Sequence, residues 1–184
     1  MEVKKKKRGR PGNSEGKLEK SGIIQRARSM ILSDQKVPSI RKLAFELGVD
    51  PMAIYHYFPN KNFLLEAITI DLIDEISMSN PAFPWRKNLM TLCLSYLKLL
   101  ITYPGLLQII LSIPSKGPVA IFQERFETAI EELNLSESKK GTILDLIADY
   151  LHGFALAVDC HKNEGVLIPM MAKEPLNFIF DGMV

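Results

Sequence analysis

Cysteine is scarce: Cys93 and Cys160 are the only two in 184 residues, and neither sits in a CxxC or CxxH spacing. A disulfide framework and a structural zinc centre are therefore not expected, and a reducing cytoplasm suits the chain. Cys93 reads as a small buried hydrophobe. Long apolar runs are missing as well. The longest, around LLQIILSIP, is bounded by proline and falls well short of the about eighteen residues a membrane span requires, so no membrane partner is expected. No period-two alternation flanked by hairpin turns marks a strand. The opening MEVKKKKRGR is not followed by the hydrophobic segment of a secretory signal. No nucleophile–base pair, phosphate loop or carboxylate dyad stands at a recognisable spacing, so an enzyme is disfavoured and no cofactor is expected. His152 and His161 lie nine apart on one helix and Cys160 points to a different face from His161, so no metal is expected.

Hydrophobic content of 47% with 24% charged residues is that of an ordinary globular chain. A net charge of +2 conceals an asymmetry. Residues 1–62 hold 14 Lys and Arg against 6 Asp and Glu, a net +8, whereas residues 63–184 hold 9 against 15, a net −6. A basic third joined to an acidic remainder suggests an anionic polymer at one end and a different partner at the other.

The pattern reads as helix throughout. Residues 1–16 form a charged arm with nothing apolar to bury. Ile23, Ile24, Ala27, Met30 and Ile31 recur at helical spacing and predict an amphipathic helix over 18–33. Ser39 is a good N-cap for IRKLAFEL, which ends at Gly48. Asp50 caps a second short helix with Pro51 at its first position, and Phe58-Pro59 stops it. Asn60 caps a third helix, expected to run to about residue 77, whose apolar face includes Leu64, Leu65, Ile68, Leu72, Ile73 and Ile76. SNPAFP, residues 79–84, is the expected boundary between a region 17–78 and a region 79–184. Further helices are predicted at about 85–102, 105–112, 118–134, 137–163 (with Ser136 as cap) and 171–182.

Residues 40–57 have the anatomy of a helix-turn-helix. Ala44 sits where two helices approach closely, Gly48 occupies the sharp turn, and Leu43, Leu47, Val49, Ile54 and Tyr57 lock the pair. A helix that enters a groove ~12 Å wide must be held rigidly. A packed helical hairpin without DNA has the same spacing.

The segment IRKLAFELGVDPMAIYHYFPNKNFLLEA resembles the DNA-binding domain of the TetR family of bacterial transcriptional regulators, densely from Ile23 to Ala67 and more loosely from Trp85 onward. The resemblance implies an all-α protein: an N-terminal three-helix helix-turn-helix domain plus a C-terminal helical bundle for ligand binding and dimerisation. It also implies double-stranded, palindromic operator DNA as partner, a short recognition helix entering the major groove nearly end-on, and a homodimer. Carried across by position, Arg41 would reach a base, in the bidentate manner open to guanine. Pro51, Met52 and Ala53 would lie nearest the base edges, Met52 and Ala53 offering apolar contact to a thymine methyl. Tyr55 would meet a phosphate or a base, while Ser39, Tyr57 and Lys61 would grip phosphates. His56 would face outward beside them, and Phe58 would point into the core. Packing alone is the other reading of Tyr55 and Tyr57.

The arm KKKKRGRPGN has two readings. It is a solvated charge run, or RGRP resembles an AT-hook core, with Arg8 and Arg10 lying along an A·T-rich minor groove. Lys4 to Lys7 would then neutralise phosphates without specificity.

In TetR-like proteins the last two helices build the dimer. GTILDLIADYLHGFALAVD carries small residues at Gly153, Ala155 and Ala157, and EPLNFIFDGMV places Leu176, Phe178, Ile179 and Met183 on a further apolar surface. FPWRKNLMTLCLSYLKLLITYPGLL resembles the start of the tetracycline repressors' regulatory domain. The drug- and magnesium-binding positions would fall on Ser77, Leu92 and Ile110, none of them a histidine or asparagine, so a magnesium–tetracycline complex is not expected. A pocket for an unidentified effector would be mainly apolar, lined by Trp85, Leu89, Leu92, Tyr96, Ile110, Phe122 and Phe126. Its polar groups would come from Tyr96, Tyr103, Gln108, Asp149 and His152. These residues equally fit a filled core. The resulting expectation is a repressor released by a small apolar effector. The alternative is an architectural or partner-recruiting DNA-binding protein whose C-terminal domain only dimerises.

Overall fold

The computed structural model describes residues 18–103, 105–113, 117–161 and 169–183. Among these residues every regular element is helical. The first, α1 (Lys20–Asp34), buries Ile23, Ala27, Met30 and Ile31. It is followed by α2 (Ile40–Leu47), α3 (Pro51–Tyr55) and α4 (Lys61–Ile73). Beyond the linker come α5 (Trp85–Thr102), α6 (Leu106–Ser112), α7 (Gly117–Ala129), α8 (Glu137–Cys160) and α9 (Lys173–Asp181).

Most caps stand where the sequence put them. The side-chain oxygens of Ser39, Asp50, Asn60 and Ser136 each accept from a backbone N–H of their helix's first turn. Each satisfies donors that have no partner inside the helix. The linker is tied down by Asn88 of α5, whose side-chain amide donates to the carbonyls of Asn80 and Phe83.

Three ends differ from the sequence pattern. α4 stops at Ile73 instead of running to residue 77. Its chain then tightens into turns, with N–H groups of Glu75 and Ile76 reaching Leu72 and Ile73. The cause is tertiary: Arg125 of α7 donates to the carbonyls of Ile73, Asp74 and Ile76, which a continuing helix would consume itself. α7 stops at Ala129 and gives way to a single 3-10 turn over Glu131–Leu133, closed by Asn134 in a left-handed conformation (φ 47°). The chain before α9 forms another 3-10 turn, Pro169–Ala172.

One continuous apolar core runs from Ile23 in α1 to Met183 beyond α9. α4 is its common member, packing on α1 on one side and on α6 and α7 on the other. The terminal segment corrects an expectation. Leu176, Phe180 and Met183 are buried within the same chain, and Phe180 packs against Trp85 with ring centroids 6.0 Å apart. Phe178 alone of the four apolar residues singled out there turns fully outward.

Candidate nucleic-acid interface

The recognition unit is built from α2 and α3. Ile40, Leu43 and Ala44 bury one face of α2. Gly48 then takes φ 66°, a left-handed turn that a side chain would strain, and its N–H reaches back to the carbonyls of Ala44 and Phe45. Asp50 Oδ1 accepts from the Met52 N–H at 2.8 Å, so α3 starts in a fixed direction. Ile54 and Phe58, both essentially inaccessible, pin α3 from beneath. The helix is only five residues long, too short to persist alone, and is held by caps and these anchors.

That anchoring decides which side chains are left outside. Met52, Tyr55 and His56 are exposed, and Pro51 and Ala53 are half-buried at the same end. Arg41 and Ser39 are exposed at the start of α2, and Lys61 is exposed at the start of α4. The cations of the region fall into two groups. Arg26 pairs with Glu46, Lys42 with Asp34 at 2.6 Å, and Arg28 with Asp71 and Glu75. Arg41 and Lys61 hold no ion pair among the described residues, so their charge is available to a phosphate or a base edge.

Tyr57 is placed differently from the phosphate-gripping expectation. It is half-buried, and its hydroxyl donates to the Leu18 carbonyl, fastening the chain ahead of α1 to the end of α3. That donor is unavailable to a phosphate. Arg8 and Arg10, the residues of the AT-hook reading, lie outside the described residues.

The expected effector pocket is a filled core. Leu89, Leu92, Tyr96, Ile110, Phe122 and Phe126 are all buried in the one apolar core. The rings of Tyr96 and Phe122 stand 4.7 Å apart. Trp85 is only half-buried, its ring tilted at 59° to that of Phe180. Three of the polar candidates face elsewhere. Tyr103 turns its hydroxyl to Arg28 at 3.3 Å, and Gln108 and Asp149 are exposed. The fourth and fifth, Tyr96 and His152, share a hydrogen bond of 2.9 Å that satisfies both. Burial raises the Tyr96 pKa and lowers that of His152, Asp149 acting weakly in the opposite direction on the imidazole.

The cavity beside this core, lined by Leu100, Leu107, Gln108, Ala155 and Val158, holds about 20 Å³. A single water needs roughly 10–15 Å³ and a drug-sized ligand roughly 300 Å³ or more, so this space admits no effector as it stands. No single helix among the described residues is long and apolar enough to cross a membrane.

Comparisons with known proteins bear on this arrangement. Residues 38–68, which span α2, α3 and the first half of α4, match the family model "Bacterial regulatory proteins, tetR family". The helix-turn-helix is thus of the tetR type. Within this tetR-type head lie all the exposed candidates from Ser39 to Lys61. The chain is 33% identical over 122 residues to the HTH-type transcriptional repressor DrrR1 of Streptomyces coeruleorubidus, a match covering 64% of this chain and 44% of that protein. It thus spans under half the length of that curated relative. The fold is shared more widely than the sequence. BioQ of Mycobacterium smegmatis superposes with a TM-score of 0.76 at 19% identity, covering 91% of this chain and 98% of BioQ. Apo ActR of Streptomyces coelicolor superposes with a TM-score of 0.75 at 16% identity, covering 92% and 96%. The tetR-type head and the helical body behind it are therefore one known architecture. BioQ has also been solved with its double-stranded DNA operator, and ActR with (S)-DNPA.

Sequence reasoning passed over two groups that the structure brings forward. Phe45 looked like one more apolar residue of α2, yet it is almost wholly exposed. Arg125 lies 52 residues along the chain from the Ile73 carbonyl it caps at the end of α4, and nothing in its local sequence marked it.

Proposed function

We propose that this protein is a DNA-binding transcriptional repressor that works as a homodimer, with residues 17–78 as reading head and 79–184 as body. The observation that carries this reading is the head itself. A short, doubly anchored helix presents Met52, Tyr55 and His56, flanked by two cations, Arg41 and Lys61, that have no ion-pair partner among the described residues. The repressor DrrR1, with a third of aligned positions identical, supports the same role. So does the BioQ fold, which is known holding an operator.

Dimerisation is supported by α8. Leu146, Gly153 and Leu156 fall on its outward side, and Phe178 of α9 is 81% exposed. A two-fold pairing would set two heads about 34–36 Å apart, one turn of DNA. With dimerisation, a palindromic operator follows.

An effector at the expected site would enter a core that is filled in this conformation. Binding would have to open the core between Tyr96, Phe122 and His152, which favours an apolar or aromatic compound over a sugar or nucleotide. The filled core also supports a second reading, in which the body only dimerises and the protein answers no small molecule.

The deciding experiment uses the full chain against a randomised 30-base-pair duplex pool, followed by anisotropy titration of the selected sequence. Enrichment of a two-fold-symmetric sequence, lost in Arg41→Ala and Lys61→Ala, is the expected result. Binding without any sequence preference would overturn the repressor reading in favour of an architectural protein. A thermal-shift screen of apolar and polar compounds then separates the two bodies: stabilisation coupled to DNA release is expected only of an effector-responsive one.

A further inference from the structure

The outward side chains of the reading head have an unusual chemistry. On α3 they are Pro51, Met52, Ala53, Tyr55 and His56. The Asp50 carboxylate, the other polar group there, is engaged as the helix cap. None carries the forked amide or guanidinium that reads adenine or guanine through two hydrogen bonds.

The phase of α2 adds one cation and one ring. Lys42 and Glu46, four apart, are drawn to α1 by Asp34 and Arg26. Ile40, Leu43 and Ala44 face the core. Arg41 and Phe45, also four apart and so one above the other, are exposed and occupy the remaining outward strip of α2, apart from the Lys42–Glu46 flank drawn to α1. Phe45 is 82% exposed, more than any other large apolar side chain described, and Met52 is 62% exposed. A ring so placed gains nothing from the fold of the monomer.

Resting on the DNA-binding reading above, we infer that this head discriminates its operator chiefly by thymine methyl groups, with Phe45 as a specificity-determining residue alongside Met52 and Ala53. The thymine C5-methyl is the apolar group that base pairs display in the major groove. The apolar groups Phe45, Met52, Ala53 and Pro51 have no other base feature to complement, while Tyr55 and His56 offer single hydrogen bonds and no two-bond fork. Arg41, standing one turn before Phe45, supplies the single bidentate group and selects a guanine. The half-site is therefore A·T-rich with one fixed G·C pair, and the thymines are read from α2 as well as from α3.

The test replaces thymines of the selected duplex one at a time by deoxyuridine, which removes the methyl and leaves every hydrogen-bonding group in place. Each contacted methyl is expected to matter by roughly fourfold, or about fifteenfold when both half-sites are changed together. Phe45→Ala and Met52→Ala should each abolish the effect of uracil at different positions, and both proteins should fold normally because the side chains are exposed. On the already selected duplex, Arg41→Ala should lower overall affinity and remove the penalty for replacing the guanine, while the penalty for each uracil persists. If a symmetric operator is enriched but deoxyuridine changes affinity less than twofold everywhere, the methyl-reading inference is wrong while the repressor reading stands. If uracil sensitivity survives intact in Phe45→Ala, that residue's role is refuted. If no sequence is enriched, the repressor reading fails and this inference falls with it.

Discussion

Arg125 of α7 and Asp74 at the end of α4 form an ion pair at 2.7 Å, and the same guanidinium caps the carbonyls of Ile73, Asp74 and Ile76. The Arg125 side chain is only 11% exposed, while the Asp74 carboxylate is 73% exposed. The pair thus draws its strength from the buried cation and the carbonyls, not from the exposed carboxylate. On the opposite side, Arg28 of α1 reaches Asp71, Glu75 and Tyr103. Burial works against the Arg28 charge, but the hydrogen bonds it donates to Tyr103, Glu75 and Asp71 outweigh it and raise its pKa. The last turn of α4 is held between a cation of the head and a cation of the body. Gly105 adds a second junction, its left-handed turn (φ 82°) lying where a side chain would meet Val37 of the α1–α2 loop at 3.5 Å.

Removing the cap is predicted to cost far more than removing the carboxylate. Arg125→Ala should lower unfolding free energy by about 2–3 kcal/mol, since it strands carbonyls that a charged donor had satisfied. Asp74→Asn should cost at most about 1 kcal/mol, the range for exposed pairs. Urea unfolding of both variants measures the difference. Equal effects would show that the ion pair, not the cap, stabilises the junction.

Tyr57 and Tyr55 should separate cleanly. Tyr57→Phe loses the bond to the Leu18 carbonyl and is expected to destabilise the head by about 1 kcal/mol while leaving operator affinity nearly unchanged at low temperature. Tyr55→Phe should weaken DNA binding with little change in stability. Paired melting and anisotropy curves check both, and a reversed pattern would restore Tyr57 to the interface.

The Tyr96–His152 pair predicts a pH dependence. An unfolded imidazole takes up its proton near about pH 6.5, whereas burial holds that of His152 to lower pH. Below the ordinary value the unfolded chain binds more protons than the folded one, so stability falls as pH drops. It levels off once the folded imidazole is protonated too. The contribution is fully present above about pH 7. Stability measured from pH 7.5 to 5 should lose this slope in His152→Asn. An unchanged slope would assign it to other groups.

Gly153 gives a test of the dimer that leaves the monomer alone. A Cβ there meets nothing within 4 Å in the single chain. Gly153→Leu should therefore keep the monomer folded, with a helix-propensity gain of up to about 1 kcal/mol. The bulk should meanwhile force two paired α8 helices apart. Sedimentation at micromolar concentration should show a dimer for the unsubstituted chain and a shift toward monomer for Gly153→Leu and for Leu156→Arg. A dimer unchanged in both would remove α8 from the interface.

The sequence by itself determined the local features whose causes are local. Ser39, Asp50, Asn60 and Ser136 cap because a short side-chain oxygen meets the free N–H groups of its own helix. Gly48 turns because only a residue without Cβ does so at no cost, and the Leu-Gly-Val and Asn-Lys punctuation of the head is legible for the same reason. Tertiary structure alone decided the rest. Helical periodicity marks Leu92, Phe122 and Phe126 as inward-facing but is identical for a pocket and a packed core. It took the Tyr96–Phe122 contact and the Tyr96–His152 bond to show the space filled. Phe45 and Leu43 look alike in the chain. Leu43 is buried with Ile40 and Ala44 on the core face of α2. Phe45 is left bare because the α1 contacts go to Lys42 and Glu46 and no other described element covers it. The early end of α4 was likewise invisible, since the guanidinium that takes its carbonyls arrives from about fifty residues away along the chain, a distance that local pattern does not encode.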